Sequence, residues 1–416
     1  MSSQSKESRK LIEGIFAINK PQWTSSAGVL RDLQTHFAST SLFQPWVENN
    51  RRHLIHSNAK KRHINNLKVK LGHGGTLDPL ATGVLIVGVG RGTKCLQRFL
   101  ECTKTYECVI LFGAATDTYD AVGKVVSKAP YKHVTKELVE EKLAQFRGKI
   151  MQKPSVFSAL KVDGKKMYEY AREGGDIPEV KAREVEVTEL EMVEWLEPGT
   201  HEFSWPKEEF DSTEKAGAEK LMAIRPADAD AQAKRNNKKR FRSPEDDDHV
   251  TNAGSHPKKP RNIHEPAMSG ALPVDEKEPE DSDMKESSDT DEKMPPAARL
   301  RMTVTSGFYV RSLCHDLGLA CNSLGLMSAL VRSRQGDYEL GKNVLEYTDL
   351  GQLDVWEPKV EQYLTEFMDK EGWEVEEVES EEAWQAKKKQ RQDKRKEKDQ
   401  GKSYQGNRNE VRNHHT

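Results

Sequence analysis

Cysteine is scarce: Cys95, Cys102, Cys108, Cys314 and Cys321 are the only five in 416 residues. None forms a Cys-x-x-Cys pair and all lie in apolar periodic segments, which suits buried thiols in a reducing compartment. Long apolar runs are missing too, so no membrane span is expected. The N-terminus lacks the hydrophobic centre of a secretory signal, and its two glutamates before residue 14 make a poor mitochondrial presequence. Apolar residues are 35% of the total against 32% charged, too few for the whole chain to fold. The length fits one large or two ordinary domains, and a net charge of -2 conceals strong local asymmetry.

What the chain does have is Gly74 to Gly83, GGTLDPLATG, followed by the apolar run Val84-Leu85-Ile86-Val87-Gly88-Val89. This sets one carboxylate, Asp78, on a shaped loop beside a strand that reads as buried. Such a carboxylate is a candidate nucleophile. An Asp-Pro turn between two elements is the plainer reading, and local chemistry alone leaves both open.

Upstream, Ile15 to Ile18 form a short apolar strand ending at Lys20-Pro21. Thr24 or Ser25 caps a helix whose apolar side is Leu30, Leu33 and Phe37. Residues 51–70 carry seven Lys/Arg, three His and no acid. Such a run is ordinarily a solvated loop; its place directly before the Asp78 loop favours contact with nucleic-acid phosphates. Residues 105–126 read as a hairpin broken at Gly113 and Gly123. Thr135 caps a helix with Val139, Leu143 and Phe146 on one face, stopping at Gly148. Residues 184–195 alternate with period two, as a half-buried strand does.

Residues 226–298 are poor in large apolar residues and hold ten acids against two lysines in 275–292, the pattern of a disordered insertion. The basic cluster at 234–242, KRNNKKRFR, fits a nuclear-import signal. Order resumes at Leu300, where Leu300, Met302 and Val304 alternate as in a strand. A helix follows from Arg311, with Leu313, Leu317, Ala320, Cys321 and Leu324 inward and Gly325 at its end. A long surface insertion within one domain costs little closure entropy. From Glu357 to Glu382 the chain holds eleven Asp/Glu, and it then turns basic in 387–398, a charged tail that starts helical and ends solvated.

Two patterns are set aside. Gly88 to Lys94, GVGRGTK, hints at a phosphate loop but lacks the Gly-Lys-Ser/Thr order. His53, His56 and His63 lie in a cationic run that disfavours a bound cation, so no metal site is expected.

The segment His73 to Gly83, HGGTLDPLATG, resembles the catalytic loop of the TruB family of pseudouridine synthases. Four further blocks resemble the family in the same order. The first is Asn19-Lys20-Pro21 with Thr24-Ser25. The second is Lys104-Thr105-Tyr106 with Thr116 to Gly123, TDTYDAVG. The third is Lys153-Pro154, Phe157 to Lys161, Gly164, Tyr168, Glu169 and Ala171-Arg172. The fourth is Gly307 to Leu313, GFYVRSL. Together they cover roughly residues 14–180 and 299–340.

The resemblance implies an α/β (α+β) catalytic domain in residues 1–225 and 299–350, on a mixed, mainly antiparallel sheet with flanking helices. Residues 226–298 are then the disordered insertion and 351–416 the charged tail. No period-two strand series marks the C-terminal end, so the small PUA barrel of many relatives is not expected.

The reaction so implied turns uridine into pseudouridine. The bond from ribose C1′ to N1 breaks, the base turns while held, and C5 joins C1′. Nothing is oxidised, so no cofactor is expected. Asp78 takes the catalytic carboxylate's role, whether it attacks C1′ or C6 or steadies charge on the sugar. Arg311 is its partner, because a guanidinium favours the ionised form that burial disfavours. Tyr106 resembles the tyrosine that stacks on the target base and assists proton removal from C5. His73 resembles the residue that fills the space left by the extruded base. Tyr309 either lines the pocket, on Arg311's face if the strand persists there, or packs in the core; Leu330 resembles an apolar pocket residue, and a helix-core leucine would look identical. Asp120 either edges the pocket or caps the turn before Gly123. Lys20 supports the catalytic loop, and Arg332 and Arg334 are candidate phosphate contacts. For Lys161 and Tyr168, RNA contact and packing are equally open.

Four departures stand out: Gly74 replaces the family's Thr, Trp23 its Gly, Ser155 the second Pro of a pair, and Phe157 its Tyr. The Gly74-Gly75 form, the basic run and the missing barrel resemble the fungal stand-alone branch, which acts on uridine 55 in the T-loop of tRNA. The partner implied is the tRNA T-arm, with messenger RNA left open and no obligate protein partner. The expected compartment is the nucleus, with the mitochondrion and cytoplasm as further sites. Two other readings stay open: a guide-RNA-dependent synthase of the dyskerin type, and an RNA-folding chaperone acting through tRNA binding.

Overall fold

The computed structural model describes residues 10–154, 161–162, 164–166, 181–211, 219, 222, 224 and 294–390. Phe157, Tyr168, Glu169, Ala171 and Arg172 of the third block, and the expected insertion as far as residue 293, lie outside the described residues. The chain divides into two compact units, residues 1–215 with 295–416 and residues 216–294, and the first holds every element below.

Alternating apolar segments make the strands. They are β1 (Gly14–Lys20), β2 (Leu71–His73), β3 (Thr82–Val89), β4 (Lys104–Phe112), β5 (Ala114–Thr116), β6 (Val125–Lys128) and β7 (Gly148–Gln152). After them come β8 (Lys161–Val162), β9 (Lys165–Lys166), β10 (Arg183–Leu196), β11 (Ala297–Val304), β12 (Gly325–Gln335), β13 (Tyr338–Glu339) and β14 (Leu345–Glu346). Among the described residues, ten of them form one mixed sheet in the order β14-β1-β3-β12-β4-β11-β10-β7, with β2 on β3 and β13 on β12. Only β1–β14 and β3–β12 run parallel in it, so the sheet is mainly antiparallel.

In chain order the helices begin with α1 (Ser26–Ala38), α2 (Gln44–His56), α3 (Lys61–Asn65) and α4 (Leu96–Glu101). After them come α5 (Lys136–Leu143), α6 (Val310–Ala320) and α7 (Leu353–Lys370). Ser25 caps α1 by accepting from Gly28 N, and Thr135 caps α5 by accepting from Leu138 N. One core joins Leu313, Cys314 and Leu317 of α6 and Val139 of α5 to Cys108, Ile110, Leu300 and Met302 of the sheet. A second joins Val29, Leu33 and Phe37 of α1 and Trp356, Val360 and Leu364 of α7 to Phe16, Ile18, Leu85 and Val87. All five cysteines are free; Cys108, Cys314 and Cys321 are buried, while Cys95 and Cys102 are half-buried.

The structure departs from the sequence reading in several places. Residues 51–70 are not a loop: they include the last six residues of α2 and all of α3. Residues 105–126 are not one hairpin, because β4 pairs with β11 and β12 and only β5 turns back on β6. Order resumes at Ala297 rather than Leu300. Helix α6 ends at Ala320, where Asn322 takes the left-handed position at φ 53°, and Gly325 opens β12 instead. Past residue 350, where the sequence reads as a charged tail that starts helical, the chain still packs against the sheet and α1. Helix α7 carries a buried apolar face whose pattern is masked by acids on its other side. Trp356, 1% exposed, stacks on Phe37 at a centroid distance of 5.7 Å. Trp356→Ala is expected to lower unfolding free energy by about 3–5 kcal/mol in chemical denaturation, as for other buried tryptophans.

Candidate active site

The Asp78 loop is built where the two cores meet. Leu77, Leu80 and Ala81 are buried in the α5–α6 core. Ser26, at the start of α1, holds the loop from the other side: its Oγ accepts from Leu77 N at 2.9 Å and donates to Leu77 O at 3.2 Å. Ala81 N donates to Asp78 O at 3.1 Å, closing the turn. Gly83, at φ +107°, ends the loop against β12, where a Cβ would lie 2.3 Å from Arg332 O. Only glycine fits so close a backbone approach.

Asp78 is thereby left partly open, its side chain 38% exposed, beside a buried partner. Arg311 Nε lies 3.0 Å from Asp78 Oδ2, and the Arg311 side chain is 8% exposed. Arg311 Nη1 donates to Thr118 O at 2.9 Å and stands 3.7 Å from Asp120 Oδ2. The guanidinium thus lies between two carboxylates and a carbonyl. Asp120 does both jobs left open by the sequence: it faces Arg311, and its Oδ1 accepts from Val122 N at 3.0 Å in the turn. Burial pushes its carboxyl above the usual range, and Arg311 opposes that shift.

Lys20, 0% exposed, ends β1 and pins the loop from below. Its ammonium donates to Pro21 O and Thr24 O at 2.7 Å each and to Pro79 O at 3.3 Å. Burial lowers its pKa to about 8, with the Asp78 carboxylate opposing and Arg332 reinforcing the shift. Tyr106 and Leu330 share the core cluster with Leu77 and Leu80, on the antiparallel neighbours β4 and β12. Leu330 is therefore a strand residue, not a helical one. His73 ends β2 opposite Val87, half-buried, five residues ahead of Asp78.

Tyr309 is not on a strand either, since β11 stops at Val304 and Tyr309 is the N-cap of α6. Its backbone exchanges bonds with the Gln152 side chain at 2.7 and 2.9 Å, and the Arg183 guanidinium lies 5.0 Å from its ring centroid. Arg332 corrects the sequence reading outright. It is 2% exposed, and its guanidinium donates to Val84 O at 2.8 Å and Gly75 O at 3.1 Å, so it braces the Asp78 loop from β12 and is shut away from phosphates. Arg334 donates to Thr105 Oγ1 and Gly336 O, both at 3.2 Å.

Sequence reasoning missed three supports. Gln335, fully buried on β12, donates to Gly74 O and to Phe99 O. Tyr119 stacks on His315 with centroids 4.1 Å apart and planes at 2°, which ties the Thr118–Asp120 segment to the helix face carrying Arg311, one turn away. The third support concerns the GVGRGTK decoy. Glu13 occupies that loop, accepting from Arg91 N at 3.2 Å and from Trp46 Nε1 at 2.7 Å. A loop that already holds a carboxylate has no room for a phosphate. The one legible cue to Tyr119 was its place inside a matched block, and His315 lies just beyond another.

Lys20 gives the site a pH limit. Loss of its proton near pH 8 removes one of three donors from carbonyls that hold the loop. Turnover is expected to fall as pH rises through about 8, and Lys20→Met should be slow with that limb absent, as measured by kcat from pH 6 to 9.5.

Comparison with known proteins finds relatives of this sequence. Residues 61–209 match the model of the TruB family pseudouridylate synthase N-terminal domain. A tRNA pseudouridine synthase 4 of Schizosaccharomyces pombe is 39% identical over 352 residues, 83% of this chain and 84% of that protein. A tRNA pseudouridine synthase 4 of Saccharomyces cerevisiae is 31% identical over 372 residues, 85% of each chain. The crystal structure of a Cbf5-Nop10-Gar1 complex aligns with 88% of this chain and 60% of its own at 16% identity and a TM-score of 0.41, too remote to add weight. On the strength of the two full-length relatives and the family match, this chain belongs to the TruB family of pseudouridine synthases.

Proposed function

We propose that this chain isomerises uridine 55 in the T-loop of tRNA to pseudouridine, acting alone, with Asp78 as its catalytic carboxylate. The observation that carries this reading is the 3.0 Å contact between the half-open Asp78 carboxylate and the buried Arg311 guanidinium. A carboxylate that meets an extruded base loses water, and the fixed guanidinium supplies a charged partner in its place. Asp78 meets the sugar or the base edge; Tyr106 and Leu330 offer the target base an apolar wall. His73 fills the gap that the extruded uridine leaves in the RNA.

The tRNA named for both yeast relatives supports the substrate class. So does charge. Arg51, Lys60, Lys61, Arg62, Lys68 and Lys70 are all exposed on or beside α2 and α3, and none has a recorded ion pair among the described residues. Elsewhere exposed cations such as Arg299 and Arg301 are matched by strand glutamates. Unmatched cations suit phosphates. Arg52 is the exception in the run: it is buried and paired with Glu48 and Glu381.

The deciding assay is pseudouridine formation on an unmodified tRNA transcript, with chelator and without guide RNA. Wild type is expected to convert the one T-loop uridine, and Asp78→Asn to bind the transcript while losing roughly three or more orders of magnitude in rate. Product from Asp78→Asn, or none from either protein, contradicts the proposal. Replacing Lys60, Lys61 and Arg62 together by Gln should weaken binding and flatten the plot of log K against log salt by roughly 2 to 3 units. An unchanged slope in equilibrium binding would remove α2 and α3 from the RNA interface.

A further inference from the structure

Trp23 differs from the other six tryptophans. It is 65% exposed, whereas Trp46, Trp195, Trp205, Trp356, Trp373 and Trp384 are buried or half-buried. Its φ is 66°, a left-handed conformation that bulky side chains rarely adopt and glycine takes freely. Neither packing nor backbone therefore accounts for an indole at this position, and glycine would serve the fold better.

The catalytic loop holds this conformation in place. Trp23 N donates to Pro79 O at 2.6 Å, the oxygen that Lys20 also reaches at 3.3 Å. Thr24 O accepts from the same ammonium, and Ser25 caps α1. The indole thus stands on a rigid base, tied to the residue next to Asp78, with its ring in solvent. Pro79 beside it is exposed as well.

We propose that Trp23 is an RNA-stacking platform, taking the face of an unpaired nucleobase that flanks the uridine presented to Asp78. This rests on the reading of the Asp78 site as one that acts on RNA. A nucleotide whose ribose reaches Asp78 carries its chain neighbours over the surface beside Pro79. A flanking unpaired base has an open face, and a flat aromatic ring stacks on it whatever the sequence. A ring already fixed by its backbone loses little freedom on binding. The contact is uncharged, so it adds affinity without adding to the salt dependence carried by the cations of α2 and α3.

Trp23→Gly and Trp23→Asn both accept a left-handed backbone and keep the amide that donates to Pro79. Each is expected to melt at or above the wild-type temperature and to bind tRNA transcript about 10- to 100-fold more weakly. The salt slope and kcat at saturating RNA should stay unchanged, and Trp23→Phe should lose less affinity. Affinity within about twofold of wild type in both variants overturns the proposal. A loss of kcat at unchanged affinity overturns it too, by making Trp23 a support of the loop. If wild type binds RNA through Trp23 yet makes no pseudouridine, the stacking stands and the synthase reading falls.

Discussion

The Arg311 guanidinium lies between Asp78 at 3.0 Å and Asp120 at 3.7 Å, and it is almost wholly out of solvent. A buried charge left without partners costs several kcal/mol, so the surrounding chain has to supply them. That requirement ties three remote segments together. Helix α6 brings the arginine, the turn between β5 and β6 brings Thr118 and Asp120, and the loop before β3 brings Asp78. Asp78 alone remains open enough to meet a substrate. The same contact that satisfies the arginine thus holds the carboxylate in place while leaving it partly open.

The rest of the fold keeps that geometry stiff. The loop has two side-chain pegs in the core, Leu77 and Leu80, and four polar braces from outside it: Ser26, Lys20, Arg332 and Gln335. They come from α1, β1 and β12, so the loop is stapled across the parallel β3–β12 pair. A carboxylate placed this way keeps its position without reorganising when a ligand arrives. Trp23 extends the same support to the surface, because its backbone bonds to the loop while its ring stays free of the core.

Much of this was legible in the sequence, and the illegible parts share a cause. Period-two alternation marked β10 and β11, and capping residues marked α1 and α5, because those signals are local. The Asp78–Arg311 pair was legible through matched blocks 233 residues apart, not through periodicity. The buried role of Arg332 was not legible, since nothing in Leu-Val-Arg-Ser-Arg says which arginine turns inward; the parallel neighbour β3 decides it. The helical start of the tail was legible but the buried stripe of α7 was not, because eleven acids from Glu357 to Glu382 outweigh it in composition. Tyr309 was set on a strand because its neighbours alternate, whereas Gln152 holds its backbone in a helix cap.

Arg311→Lys tests the account most directly, because it keeps the charge and removes the planar fork that meets Asp78 and Thr118 together. The quantity to measure is the single-turnover rate of pseudouridine formation on tRNA transcript, with binding measured beside it. The account predicts a rate lower by about a hundredfold or more with affinity intact. A lysine variant within a few-fold of the wild-type rate would show that charge alone suffices, and that the fixed geometry around Asp78 is not what the site depends on.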